Sequence, residues 1–165
     1  PAYPEPLRQA GIRFAQYDLI HDSAPPETDT FDAMVLCEVV EHMPVPLFTV
    51  LERATTALQR GGYLLVTTPN VFRLRNAVRL VSGQDLFCNW DLPERGRGLG
   101  HVTEFSAARL RWQAERAGLR VCSLEHVQLT FRGSTVRASI GKAIALPLSI
   151  VPLWRDGLIM ICQRA

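Results

Sequence analysis

The chain has 165 residues, a formal net charge of +2 and an apolar fraction of 47%. That length is enough for one domain with a real core, and that apolar fraction excludes a chain that is disordered throughout. A net charge this small gives no support to a nucleic-acid-binding surface.

The four cysteines show no CxxC pair and no spacing typical of zinc ligands. Three of them lie in apolar runs, where a free cysteine behaves as a small hydrophobe, so we expect a reducing, cytoplasmic location. The N-terminal residues contain no basic region followed by an apolar run, so no signal peptide is predicted.

Two short strands are predicted in the first 40 residues. Ile12–Asp18 has the pattern of a strand that ends in an acid, and a loop rich in Pro, Asp and Thr follows it. Phe31–Leu36 is too short and too apolar for a surface helix. It is therefore predicted to be a buried strand of a parallel sheet covered on both faces.

A helix and a further strand follow. Apolar residues recur at helical spacing from Pro46 to Leu58, and Gly61–Gly62 is predicted to end this helix. Tyr63–Thr67 is then predicted to be a second buried strand.

The rest of the chain alternates helices and strands, which is typical of a doubly wound α/β sheet. The predicted elements are a helix at Val71–Leu80, a loop at Ser82–Gly100, a helix from Ser106 to Ala117 stopped by Gly118, and strands at Leu119–Val127 and Leu158–Gln163. A loop of that length is typical of a lid or substrate loop. The arginines of the predicted helix Val71–Leu80 (Arg73, Arg75 and Arg79) are assigned to a solvated face.

Ionisable side chains follow the strand Phe31–Leu36, namely Cys37, Glu38, Glu41 and His42. In open parallel sheets, ligands bind just beyond the carboxyl ends of the strands. The sequence therefore predicts an active-site cleft at this point.

Three segments carry a resemblance to a known family: FDAMVLCEVVEHMPVP (31–46), LQRGGYLLVTTPN (58–70) and HVTEFSAARLRWQAERAGLRV (101–121). In this order and spacing they resemble class I S-adenosylmethionine-dependent methyltransferases, in particular the group that includes the ubiquinone-biosynthesis O-methyltransferases. The resemblance covers residues 12–127. It implies a Rossmann-like α/β sheet, mostly parallel with an antiparallel last strand, in a single methyltransferase domain over residues 1–165.

The resemblance implies S-adenosylmethionine as the cofactor and assigns residues to it. Asp18 and Leu19 would contact the adenine, and the alternative is an aspartate that only ends a strand at a turn. Cys37, Glu38 and Val39 would line the methionine end of the cofactor.

The resemblance places Glu41 and His42 on the acceptor side. His42 would be the general base, because imidazole exchanges protons near neutral pH. The alternative is that His42 only anchors the start of the next helix.

With His101, these side chains also resemble the metal site of the small-RNA 2′-O-methyltransferases, which has two glutamates and two histidines. The corresponding residues are Glu38, Glu41, His42 and His101, a set that suits Mg, Mn or Zn ions. A divalent metal is an alternative here and not the expected cofactor. Without one, Glu38 would bond backbone or cofactor, and His101 would fix the loop before Phe105.

One part of the family pattern is absent from this sequence. No GxGxG loop occurs, and neither does the acid that ends the family's second strand and grips the ribose. The chain is therefore expected to be an N-terminally truncated methyltransferase that lacks the first strands and binds the cofactor weakly or not at all.

The predicted function is methyl transfer from S-adenosylmethionine to an oxygen of a small-molecule or lipophilic acceptor. A non-catalytic methyltransferase-like binding module and a nicotinamide-dependent oxidoreductase fragment are the alternatives. Ala143–Trp154 is apolar but too short to span a bilayer. It is predicted to be core, a lid over a lipophilic acceptor, or an interfacial anchor that gives peripheral membrane contact.

Overall fold

The computed structural model describes residues 5–22, 24–86, 101–128 and 150–165. Predictions for residues 87–100 and 129–149, which hold most of the long loop and of the apolar segment, lie outside the described residues. The described elements are α1 (Glu5–Gln9), β1 (Phe31–Cys37), α2 (Leu47–Ala54), β2 (Leu58–Pro69), α3 (Leu74–Val81), α4 (Ala107–Arg116), β3 (Leu119–Val127) and β4 (Gly157–Arg164), with 3₁₀ helices at Val40–His42, Thr55–Ala57 and Pro152–Trp154.

The four described strands form one mixed sheet in the order β1-β2-β4-β3. β1 and β2 are parallel, and β4 is antiparallel to both of its neighbours, β2 and β3. β1, β2 and β3 therefore run in one direction, and the last strand alone among them is reversed. This confirms the predicted Rossmann-like α/β sheet with an antiparallel last strand.

The core lies between one face of this sheet and the helices α2 and α4. Its buried side chains include Leu64 and Val66 of β2, Leu158, Met160 and Cys162 of β4, Leu47, Val50 and Leu51 of α2, and Leu110 and Ala114 of α4. Full burial of each Leu, Val or Met contributes about 1.5–3 kcal/mol relative to exposure. Burial also raises the pKa of the Cys162 thiol to about 12, so this cysteine is the inert hydrophobe that the sequence predicts. Cys37 and Cys122, which lie in the other apolar runs, are exposed.

The helix that precedes β3 begins and ends as predicted. The Ser106 side chain accepts a hydrogen bond from the Arg109 N–H at 3.2 Å, which caps α4. Gly118 stops the helix with a φ of +76°, a conformation that glycine adopts without strain. β3 then has the predicted bounds, because local capping signals fix where this helix gives way to the strand.

The prediction of a strand at Ile12–Asp18 is wrong. A strand requires a neighbour to satisfy its backbone groups, and within the described residues no strand pairs with the free edge of β1. Ile12 and Phe14 are instead exposed, by 51% and 40%. Arg13 forms an exposed ion pair with Glu27, at 3.1 Å.

The strand β1 is confirmed, but its predicted burial is wrong. Leu36 is its one buried residue, and Val35 is 59% exposed. β1 is the edge strand of the described sheet. Its apolar side chains are therefore mostly exposed, although the sequence pattern is that of a buried strand.

The prediction that Gly61–Gly62 ends a helix is also wrong. α2 ends at Ala54, and the glycines lie inside β2, where the pairing with β1 is irregular. Phe31 of β1 pairs with Leu58, whereas Ala33 pairs with Tyr63, so β2 accommodates extra residues at this point. A glycine pair suits a strand bulge as well as a helix end, so the sequence alone did not separate the two.

The Gly62→Ala variant is expected to lose about 1–3 kcal/mol of unfolding free energy. An added Cβ would lie 2.9 Å from the Gln59 oxygen, 3.1 Å from that of Asp32 and 3.2 Å from that of Phe31. These are main-chain atoms that cannot turn away as a side chain can. Urea unfolding measures the loss.

Gly118→Ala is the control for this prediction. Gly118 has a positive φ but nothing within 4 Å of an added Cβ, so its variant reports backbone strain of about 1–2 kcal/mol without a clash. A Gly62→Ala variant as stable as wild type would contradict the close approach of β1 to β2.

No helix among the described residues is both long enough and apolar enough to cross a membrane. The described end of the predicted apolar segment contains the 3₁₀ helix Pro152–Trp154. Ile150, Val151 and Leu153 are exposed there, Ile150 by 76%. This end of the segment is therefore not part of the core.

Candidate active site

The carboxyl ends of β1 and β2 lie side by side, since Cys37 pairs with Thr67. The next residue, Glu38, donates its N–H to the Thr67 oxygen at 3.1 Å and accepts the Thr67 hydroxyl at 3.0 Å. Glu38 has a φ of +53°. A non-glycine residue in this left-handed region is costly and is enriched at functional sites. The sharp turn begins at the position where ligands bind in such sheets.

Glu41 is fully buried in the short 3₁₀ helix that follows. The Thr68 hydroxyl donates to Glu41 Oε2 at 3.3 Å, whereas Glu41 Oε1 has no hydrogen-bond partner among the described residues. Burial raises the pKa of Glu41 above its ordinary value, and the charge of Glu38 adds to the rise. A buried, half-satisfied carboxylate is expensive, so Glu41 is a candidate for a role in function.

Two imidazoles lie beside this carboxylate. His42 Nε2 is 3.8 Å from Glu41 Oε1, and the His42 and His101 rings pack edge to face with centroids 5.1 Å apart. His101 is brought here because the main-chain oxygen of Glu41 accepts the N–H groups of Val102 and Thr103, at 2.9 and 3.2 Å. The structure thus joins residues that are about 60 positions apart in the sequence.

Three of the four predicted metal-ligand candidates come together. Glu41, His42 and His101 each offer one ligand atom, and these atoms lie within 4.8 Å of one another. Glu38 is not in this group and bonds Thr67 instead. One carboxylate with two imidazoles is a donor set that suits zinc and similar ions. Metal–ligand bonds of about 2.0–2.2 Å would require these atoms to move closer together.

Asp18 forms a tight turn. Its Oδ1 accepts the N–H groups of Ile20 and His21, at 2.8 and 3.1 Å, and its Oδ2 lies 2.9 Å from His21 Nδ1. The His21 hydrogen bond and these backbone bonds lower the pKa of Asp18 to about 2. The turn that the sequence offered as an alternative is therefore present. Leu19, beside it, packs partly buried against the core.

Sequence reasoning missed a buried polar cluster next to His101. Glu104 is 2% exposed, pairs with Arg73 and accepts the Asn76 amide at 2.5 Å. The assignment of Arg73 to a solvated face is wrong, because its side chain is 11% exposed. The spacing of His101 and Glu104, three residues apart, was the available signal that the two side chains could pair. Their partners in the α3 region are distant in sequence, so the sequence did not indicate the rest of the cluster.

A second missed residue is Asn70, which is fully buried just after β2. Its Nδ2 donates to the oxygens of Leu153 and Arg155, both at 2.8 Å, and its Oδ1 accepts the Phe72 N–H at 3.1 Å. Asn70 also forms a parallel bridge with Phe105. It therefore ties the edge of the site to the segment that leads into β4.

The comparisons with known proteins agree with this fold. A family model described as a methyltransferase domain matches residues 3–124, well over half of the chain. Curated proteins gave no match.

Solved structures resemble the chain at low identity. They include S-adenosylmethionine-dependent methyltransferases from Mesorhizobium loti (15% identity, TM-score 0.60, 95% of this chain and 73% of that one) and Archaeoglobus fulgidus (17%, 0.57, 94% and 69%). Another is a methyltransferase in complex with the Haloferax volcanii activator Trm112 (15%, 0.59, 97% and 68%).

The strand order and these solved structures show that the chain has the fold of class I methyltransferases. The chain belongs to the methyltransferase-domain family.

Proposed function

We propose that this protein transfers a methyl group from S-adenosylmethionine to an oxygen of a small-molecule or lipophilic acceptor, with His42 as general base and Glu41 as its partner. The observation that carries the proposal is the buried Glu41 Oε1, which lacks a hydrogen bond and lies 3.8 Å from His42 Nε2. A carboxylate placed in this way can orient the imidazole and stabilise its protonated form.

The residues at the end of β1 fit the methionine end of the cofactor. Cys37 and Glu38 are exposed there, and Val39 follows them in the turn that leads to the buried Glu41. The cofactor supplies an electrophilic methyl group on a positively charged sulfur. An exposed carboxylate at Glu38 is suited to its positive groups, and the Thr67 hydroxyl holds that carboxylate in place.

The work left to the protein is to bring the acceptor oxygen in line and to remove its proton. Bound S-adenosylmethionine would supply the methyl group to the acceptor oxygen and would keep the electron pair of the broken carbon–sulfur bond on its sulfur. The hydroxyl proton passes to His42, and Glu41 balances the resulting imidazolium charge.

Calorimetry and a methyl-transfer assay on the gene's full product test the proposal. We expect heat on addition of S-adenosylmethionine, and transfer of labelled methyl to members of a panel of phenols and lipophilic alcohols. Absence of heat with both the cofactor and its demethylated product would support the non-catalytic binding module instead. The family match favours methyl transfer over nicotinamide-dependent oxidoreduction.

The His42→Gln variant is expected to lower kcat at least 100-fold near neutral pH. The loss should shrink at alkaline pH, where a phenolic acceptor ionises without a base. His126→Gln, on β3, is the matched control and should keep wild-type activity. An equal loss at every pH would indicate that His42 only anchors the helix.

Metal dependence is measured in the same assay. We expect methyl-transfer activity to survive treatment with EDTA. Loss with EDTA and recovery with Mn²⁺ or Zn²⁺ would instead assign Glu41, His42 and His101 to a bound ion.

A further inference from the structure

Glu104 holds three donors from different parts of the fold. Its Oε1 pairs with Arg73 and lies 3.1 Å from His101 Nδ1, and its Oε2 accepts the Asn76 amide at 2.5 Å. Arg73 Nε also donates to Asn76 Oδ1 at 3.3 Å, so the two donors from the α3 region fix each other. The carboxylate is buried and cannot rotate without breaking these bonds.

An ionised carboxylate accepts hydrogen bonds and donates none. Because the same Glu104 oxygen pairs with Arg73 as an acceptor, we assign the hydrogen in the 3.1 Å contact to His101 Nδ1. In a neutral imidazole with the proton on Nδ1, the lone pair is on Nε2. Glu104 thus selects one of the two tautomers of His101, in the way that a carboxylate selects the tautomer of a catalytic or metal-binding histidine.

The ring held by Glu104 is the ring that packs against His42. The two centroids are 5.1 Å apart and the planes meet at 73°. Because His42 sits beside the buried Glu41, the orientation of His101 bears directly on the group to which catalysis is assigned above.

We propose that Glu104 is a positioning residue, which holds His101 as the Nδ1–H tautomer and fixes its ring against His42. The effect of Glu104 on catalysis rests on the proposed function. Its effect on the tautomer of His101 does not depend on that function. A purely structural role for Glu104, as the partner that ties Arg73 and α3 to the domain, is the competing explanation.

Nitrogen NMR of the gene's full product, labelled with ¹⁵N-histidine, separates the two explanations. The printed chain contains four histidines, so each ring can be assigned from its own His→Gln variant. At a pH where the imidazoles are neutral, wild-type His101 is expected to show a protonated Nδ1 and an unprotonated Nε2. The opposite tautomer in the wild type would overturn the proposal, and that measurement needs no variant to fold.

The Glu104→Leu variant removes the acceptor and is expected to move His101 toward the Nε2–H tautomer, which free histidine prefers in water. Arg73→Gln is the control, because it breaks the ion pair and leaves the His101 acceptor in place. If both variants have native amide spectra, a shift in Glu104→Leu alone supports positioning. No shift in Glu104→Leu, or equal shifts in both variants, would show that Glu104 is only structural.

Measurements of kcat and KM then distinguish the positioning role of Glu104 from the proposed methyl transfer itself. We expect kcat of Glu104→Leu to fall about 10-fold or more while KM for S-adenosylmethionine is unchanged. A shifted tautomer with unchanged kcat overturns the catalytic part. If the wild type shows the Nδ1–H tautomer but transfers no methyl group, the positioning of His101 stands and the proposed function fails.

Discussion

The Glu41→Gln variant is expected to be more stable than the wild type at neutral pH, by about 1–3 kcal/mol, and to lose most of its activity. Glu41 is fully buried and its Oε1 has no hydrogen-bond partner, so an ionised carboxylate there is costly. A neutral amide of the same shape still accepts the Thr68 hydroxyl and avoids that cost. It cannot balance a protonated His42, so kcat should fall at least tenfold.

The pH dependence gives a sharper readout of the same substitution. Burial raises the folded-state pKa of Glu41 above its ordinary value of 4.5, so the folded protein keeps this proton to higher pH than the unfolded chain does. The stabilisation is complete below about pH 4.5 and is lost as pH rises through the raised pKa. Glu41→Gln should remove this decline from the plot of unfolding free energy against pH.

Glu52→Gln is the matched control for both readouts. Glu52 is exposed on α2, so the same chemical change there should alter stability by no more than about 0.5 kcal/mol. Urea unfolding from pH 4 to pH 9 measures all three proteins. A Glu41→Gln variant that is less stable than the wild type at neutral pH would mean that the ionised carboxylate is well paired in solution.

The Asn70→Asp variant should lose about 3–5 kcal/mol of stability at neutral pH. Asn70 Nδ2 donates to the main-chain oxygens of Leu153 and Arg155, both at 2.8 Å. A carboxylate would face these two acceptors in a fully buried site, with no donor for either. The loss should diminish toward acid pH, because a protonated aspartic acid can donate one of the two bonds.

Two further variants isolate the cause of this loss. Asn70→Ala removes the donor without adding charge, so it should cost less and show no change with pH relative to the wild type. Gln84→Glu makes the same amide-to-acid change at an exposed position and should be nearly neutral. A mild, pH-independent loss in Asn70→Asp would contradict the buried hydrogen bonds.

The elements that the sequence predicted best are those with local signals. Ser106 and Gly118 bracket α4 by capping chemistry, which depends on a few neighbouring residues. The Gly61–Gly62 pair failed as a signal because a helix end and a strand bulge both favour glycine. Ile12–Asp18 failed because its pattern describes a strand only when another strand lies beside it.

The residues of the candidate site also differ in whether a local sequence signal predicted them. Glu41 and His42 are adjacent in sequence and follow a strand, so the position of the site was predictable, although their catalytic roles remain proposals. The bond from Asn76 to Glu104 and the bond from Asn70 to Leu153 join residues 28 or more positions apart. One sequence carries no sign of such pairings, and short polar residues in a loop offer no periodicity to interpret.

The strand order has a consequence for how the protein is made. β2 pairs with β4, and β4 also holds β3, although β2 ends at Pro69 and β4 begins only at Gly157. Such distant pairings fold slowly. On the ribosome, β2 and β3 therefore wait with their facing edges unpaired until residues 157–164 emerge. A stop codon shortly before Gly157 would remove only the last few per cent of the sequence, yet it would take from β3 the one described strand with which it pairs.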